Sequence, residues 1–151
     1  MRLALFQPDI PQNLGAAIRL GACLGTPIDI IRPAAFPLGN KDVRRAAMDY
    51  AQFAEINLHE SWAAFLHALE GRRLLLLTTS AATDLYDFSF RSDDVLMVGR
   101  EGAGVPEEVH RAANWRLRIG IAGGARSLNV VNAAAMALGE AMRQTRIRTG
   151  D

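Results

Sequence analysis

The sequence predicts an α/β fold, a mostly parallel sheet flanked by helices. Two observations carry this. Short unbroken apolar runs, such as 73–77 and 95–98, have the composition of parallel strands covered on both faces, where the usual polar alternation is lost. Between such runs lie stretches with helical caps and helical spacing, so strand and helix alternate along the chain as a layered parallel domain requires.

Each element follows from local chemistry. Residues 2–6 read as a buried strand, Asn13 caps a helix running to about residue 24, and 27–31 is a second apolar strand. A basic helix near 42–48 leads to a strand around 53–58. Ser61 then caps an amphipathic helix ending at Gly71. Strands follow at 73–77, 95–98 and 115–119, and a last helix covers about 129–145. No internal repeat, low-complexity tract or linker interrupts this order, so one domain, 1–151, accounts for the chain.

Composition narrows the classes of function. With 151 residues, 50% hydrophobic and 22% charged, the chain is long enough to bury a core without disulfides or metal. No apolar stretch approaches the roughly 20 residues of a membrane span. The opening apolar run breaks at Gln7, Pro8 and Asp9, too early for a signal peptide, and a cytoplasmic protein is expected. Cys23, the only cysteine, is expected as a buried inert thiol, which removes disulfide and thiolate-zinc readings. His59, His67 and His110 lack ligand spacing and are expected at the surface, so no metal is expected.

A net charge of +1 gives no global basic excess. Lys41 is nonetheless the only lysine among 17 basic residues. Arginine suits planar, bidentate phosphate contacts, and a biased source genome would give the same skew. Basic residues cluster at Lys41, Arg44 and Arg45, at Arg116 and Arg118, and at Arg143, Arg146 and Arg148. Each cluster alone reads as a solvated face.

Three segments carry candidate chemistry. Near the end, Gly123, Gly124, Ala125, Arg126, Ser127, Leu128 and Asn129 form a glycine turn feeding an alanine-rich helix; Ser127 and Asn129 can cap it while spare N–H groups face a ligand. The second is Pro8, Asp9, Ile10, Pro11, Gln12, Asn13, Leu14 and Gly15, followed by Arg19 on a helix of small residues that permits close packing, a candidate tight interface. The third runs from Leu96 through Met97, Val98, Gly99, Arg100, Glu101, Gly102, Ala103 and Gly104 to Val105 and Pro106. It leaves a strand at its carboxyl end, where parallel sheets collect ligands. Its glycines match neither the dinucleotide fingerprint nor a P-loop, which disfavours NAD and ATP. A Rossmann-type methyltransferase loop should follow the first strand, and this one comes late. Read singly, the third segment is a plain strand-to-helix turn with Pro106 at the first helical position, and in the second the prolines at 8 and 11 end a strand before Asn13 caps the next helix.

Together, in this order and spacing, the three segments resemble the three motifs of the SPOUT methyltransferases, in the branch that methylates RNA ribose 2′-hydroxyls. The stretch Asn40, Lys41, Asp42, Val43, Arg44, Arg45, Ala46, Ala47, Met48, Asp49, Tyr50 is similar to the small single-domain enzymes that modify the tRNA wobble nucleotide. Relatives acting on ribosomal RNA usually carry an extra N-terminal domain, whereas this sequence opens at its first strand.

The resemblance implies a C-terminal deep trefoil knot, its tail threaded through a loop near 96–106, and a homodimer with cofactor pockets near the interface. It implies S-adenosylmethionine as cofactor, with Leu77, Gly99, Ile119 and Ser127 at cofactor positions. Thr78, Met97, Glu101, Gly104 and Leu128 join them, Glu101 bonding backbone donors. Arg19 would hold a phosphate and stabilise the developing alkoxide, and Asn13 would orient the ribose or the loop. Lys41, Arg44 and Arg45 would meet the tRNA anticodon arm. The substrate implied is C34 or a modified U34, with leucine tRNAs expected. Ribosomal RNA or another tRNA position is the alternative within the class, and a non-catalytic knotted RNA-binding factor is the alternative outside it. The sequence departs from relatives at Arg100, where proline or asparagine is frequent, and at Gly120, where proline is common.

Overall fold

The computed structural model describes residues 1–146. Its centre is a seven-stranded sheet in the order β3-β2-β1-β6-β4-β7-β5, every pair parallel. The strands are β1 (Arg2–Phe6), β2 (Ile28–Ile31), β3 (Ile56–His59), β4 (Leu74–Leu77), β5 (Thr83–Asp84), β6 (Val95–Val98) and β7 (Trp115–Arg118). The helices are α1 (Pro11–Leu24), α2 (Lys41–Ala47), α3 (Trp62–Ala68), α4 (Glu107–Ala112) and α5 (Val130–Arg146), with short 3-10 turns at Met48–Phe53 and Leu85–Asp87. Among the described residues no helix is long and apolar enough to cross a membrane.

Period-two geometry splits each central strand between two cores. Leu3, Leu5, Leu75, Leu96 and Val98 join Leu14 and Ile18 of α1 and Leu138 of α5. Ala4, Phe6, Leu74, Leu76, Val95 and Met97 join Phe65 of α3 and Val109 of α4 on the opposite face. Strand β7 departs from the two-sided burial expected of it, since only Leu117 is buried and Trp115, Arg116 and Arg118 are exposed. It lies beside the two-residue β5, near the thin end of the sheet.

Several local expectations are corrected. Asn13 does not cap α1: proline's fixed φ suits the first helical position, so the helix opens at Pro11 with Ile10 as its cap. Two of the small residues of α1 serve close packing within the chain. A Cβ on Gly15 would lie 2.4 Å from the Val43 carbonyl oxygen of α2, and one on Gly21 would lie 2.6 Å from the Ile28 side chain. Cys23 is exposed, on the outer face of α1. His59 is not a surface residue; its Nε2 lies 2.7 Å from Oδ1 of the buried Asp29, which Arg2 also grips with two bonds of 2.7 Å. The helix from Ser61 stops at Ala68, short of Gly71. Helix α4 starts at Glu107, leaving Pro106 as its cap. Arg148 of the last basic cluster lies outside the described residues.

Candidate functional site

The carboxyl ends of β4, β6 and β7 open into a cavity of about 380 Å³. Three loops wall it. The first, 78–80, begins where the Thr78 N–H donates to the Leu117 carbonyl at 2.9 Å, extending the sheet by one rung. The second, 99–105, folds back on itself through paired 3.1 Å backbone bonds between Arg100 and Gly104, the latter at φ 60. Gly99 must be glycine: a Cβ there would lie 2.9 Å from the Gly104 carbonyl carbon and 2.9 Å from Val105 Cγ1. The third wall comes from Ile119, Ile121, Arg126, Ser127 and Leu128.

A hydrogen-bonded hub ties these loops to the start of α1. Asp9 accepts from the backbone N–H of Glu101 at 3.0 Å and of Gly102 at 3.4 Å. Asn13 donates through Nδ2 to Glu101 at 2.8 Å and accepts from Asn129 Nδ2 at 3.0 Å. Glu101 further accepts from the Val130 N–H at 3.5 Å. Asn129 also caps α5, its Oδ1 accepting from Val131 at 2.9 Å and Asn132 at 3.3 Å. The cap thus falls to Asn129, while Ser127 faces the cavity. All three sequence segments therefore meet at one point.

Of the residues singled out from sequence, Leu77, Thr78, Gly99, Glu101, Gly104, Ile119, Ser127 and Leu128 line the cavity. Met97 does not. It is fully buried in the core on the α3 and α4 side, because odd positions of β6 face away from α1 and α5. Asp9, His110 and Arg126 were not singled out for the site. Asp9 stood in a quoted segment, and a short carboxylate after a strand is the residue type that satisfies loop N–H groups. Arg100, the departure from relatives, lies with its guanidinium 5.6 Å from the Phe6 ring centre and donates to the Gly104 carbonyl at 3.2 Å.

Arg19 sits elsewhere. It is exposed on α1, outside the cavity lining, with Nη1 donating to Met48 Sδ at 3.2 Å and Cζ 5.0 Å from the Tyr50 ring centre. Lys41, Arg44 and Arg45 are exposed on the neighbouring α2. The molecule thus offers two separate surfaces, a loop-walled cavity and a cationic helical face. Among the described residues no group of three His, Cys, Asp or Glu side chains is arranged to hold a metal ion.

Residues 1–139 match the SpoU rRNA Methylase family, and the chain belongs to it. It is 53% identical over 144 residues to a tRNA (cytidine(34)-2′-O)-methyltransferase of Beijerinckia indica, spanning 94% of this chain and 90% of that protein. A solved structure concerned with 2-OH methylation of C/U34 on tRNA superposes with a TM-score of 0.91 at 42% identity, covering 95% and 94% of the two chains. The SpoU methyltransferase AviRb of Streptomyces viridochromogenes, solved with AdoMet, superposes with a TM-score of 0.89 at 26% identity, over 97% of this chain and 58% of that one.

Proposed function

We propose that this chain transfers the methyl group of S-adenosylmethionine to the ribose 2′-hydroxyl of the tRNA wobble nucleotide, C34 or a modified U34. The observation that carries the reading is the meeting of three motif segments at one hub beside one cavity. The lining fits the cofactor. Glycine loops expose amide and carbonyl groups at close range, Leu77, Ile119 and Leu128 offer apolar surface for a flat ring, and Thr78 and Ser127 offer hydroxyls. When bound, S-adenosylmethionine supplies a methyl already activated on a sulfonium, with its own leaving group.

The chain's own groups supply position and charge. A neutral ribose hydroxyl is a poor nucleophile, so stabilising the oxygen's developing negative charge lowers the barrier. Arg19 serves this role as a permanent cation that also holds a backbone phosphate, rather than as a base. Asn13 acts as a positioning residue, because both ends of its amide are engaged by Glu101 and Asn129. Lys41, Arg44 and Arg45 meet phosphates of the anticodon arm, giving salt-sensitive affinity.

Arg19 lies outside the cavity lining of its own chain, and this supports a homodimer in which Arg19 of the partner subunit reaches each pocket. The proposal includes one SPOUT domain over 1–151, a cytoplasmic location, and the C-terminal trefoil knot. The knot is consistent with Val130 bonding Glu101 of the 99–105 loop. Incubation with labelled S-adenosylmethionine and total tRNA, then nuclease mapping, tests the whole. Label on the ribose of residue 34 is expected; label confined to ribosomal RNA, or none, overturns it.

A further inference from the structure

We infer that Met48 and Tyr50 form a charge-free cradle that pre-orients Arg19 for methyl transfer, making both positioning residues. The inference rests on the role given to Arg19 above. Although Arg19 is exposed, its guanidinium is held on two sides, by the Met48 thioether at 3.2 Å and the Tyr50 ring face at 5.0 Å. Among the described residues no carboxylate lies within ion-pair distance of it. Six arginines, Arg2, Arg32, Arg72, Arg73, Arg111 and Arg143, do pair with Asp or Glu; Arg19 is among those that do not, and it is held by a sulfur and a ring instead.

The difference has a chemical consequence. A carboxylate would neutralise the guanidinium and occupy its donor fork. A ring face and a soft sulfur restrain it while leaving its charge and most of its five N–H donors for an anion. Met48 adopts φ 54, ψ −138, a conformation that side-chain-bearing residues rarely take, and does so as a residue 57% exposed. Burial therefore gives no reason for the strain. What the sharp reversal between α2 and the 3-10 turn achieves is to bring Met48 and Tyr50, two positions apart, onto one guanidinium of α1. The close approach of α2 to Gly15 sets the mounting, so the cradle is fixed to the helix that carries its cargo.

Restraining a flexible arginine before substrate arrives favours the transition state and leaves cofactor binding untouched. Single-turnover methyl transfer by the full chain, with labelled cofactor and tRNA, tests this. Tyr50→Leu is expected to lower the methyl-transfer rate about fivefold, the scale of an exposed cation–π contact, with cofactor affinity unchanged. Tyr50→Phe, which keeps the ring face, restores most of that rate. Met48→Leu, which keeps bulk and loses the sulfur acceptor, gives a smaller fall. In an Arg19→Ala background, Tyr50→Leu causes no further loss.

A multiplicative loss in that background overturns the cradle, since Tyr50 would then act without Arg19. An unchanged rate in Tyr50→Leu, with Arg19→Ala impaired, also overturns it and leaves the role of Arg19 standing. Full activity in Arg19→Ala removes that role itself. If Tyr50→Leu does not fold, Met48→Leu, altered at an exposed side chain, carries the same cycle.

Discussion

The cavity loops and the face built from α1, α2 and the Met48–Phe53 turn present polarity in opposite ways. At the cavity, glycines bring main chain close to the ligand space and the hub residues hold each other. On the helical face, long cationic side chains project from well-packed helices, and Arg19 rests on neutral groups. One region should therefore be intolerant of added atoms and the other of lost charge. The proposed function divides grip on the cofactor and action on its methyl group between them, so their variants should separate two measurements that usually move together.

The largest expected effect lies on the helical face. Arg19→Ala should lower the single-turnover rate by on the order of 10²–10³-fold, the scale of losing one preorganised charge-stabilising donor, while cofactor affinity by calorimetry stays within about twofold. A matching fall in affinity would merge the two regions. Reversing Lys41, Arg44 and Arg45 to Glu should weaken tRNA binding about 100-fold at moderate salt and flatten its salt dependence by up to about three in slope, measured by filter binding across a salt series. An unchanged slope would move the RNA surface elsewhere.

Adding one methyl at the cavity should do the reverse. Gly99→Ala puts a Cβ 2.9 Å from the Gly104 backbone, and overpacking of about 1–3 kcal/mol should appear as roughly tenfold weaker cofactor binding with tRNA affinity retained. The smallest effect tests a boundary. Met97→Leu conserves volume in the far core, so it should cost less than about 1.5 kcal/mol in denaturant titrations and leave cofactor affinity unchanged. A clear loss of affinity there would extend the cavity through the sheet.

Sequence pattern located these elements well where one physical signal dominated. Unbroken apolar runs marked β1, β4 and β6, and the Ser61 cap marked α3, its oxygen accepting from the Ala64 N–H at 3.1 Å. It missed β5, since two polar residues, Thr83 and Asp84, carry no periodicity and pair only because β7 lies alongside. The resemblance put Met97 beside the cofactor positions, but in a strand buried on both faces adjacent residues enter different cores, and Met97 enters the one away from the cavity. Asn13 was flagged for the wrong local task. Pro11 had already begun the helix, which frees the amide for partners 88 and 116 residues away, and no local pattern encodes such distances. The partial burial of His59 is likewise a tertiary fact, fixed by Asp29 on the adjoining strand.

Those separations bear on how the molecule is made. Asp9 and Asn13 emerge from the ribosome well before Glu101, and Glu101 before Asn129 and Val130, so the hub closes only after residue 130 has been made. Loop-closure entropy makes such remote contacts slow to form. Affinity for the methyl donor should therefore appear late during refolding, well after helical signal has returned, and a nascent fragment ending before α5 should hold neither ligand nor a settled 99–105 segment.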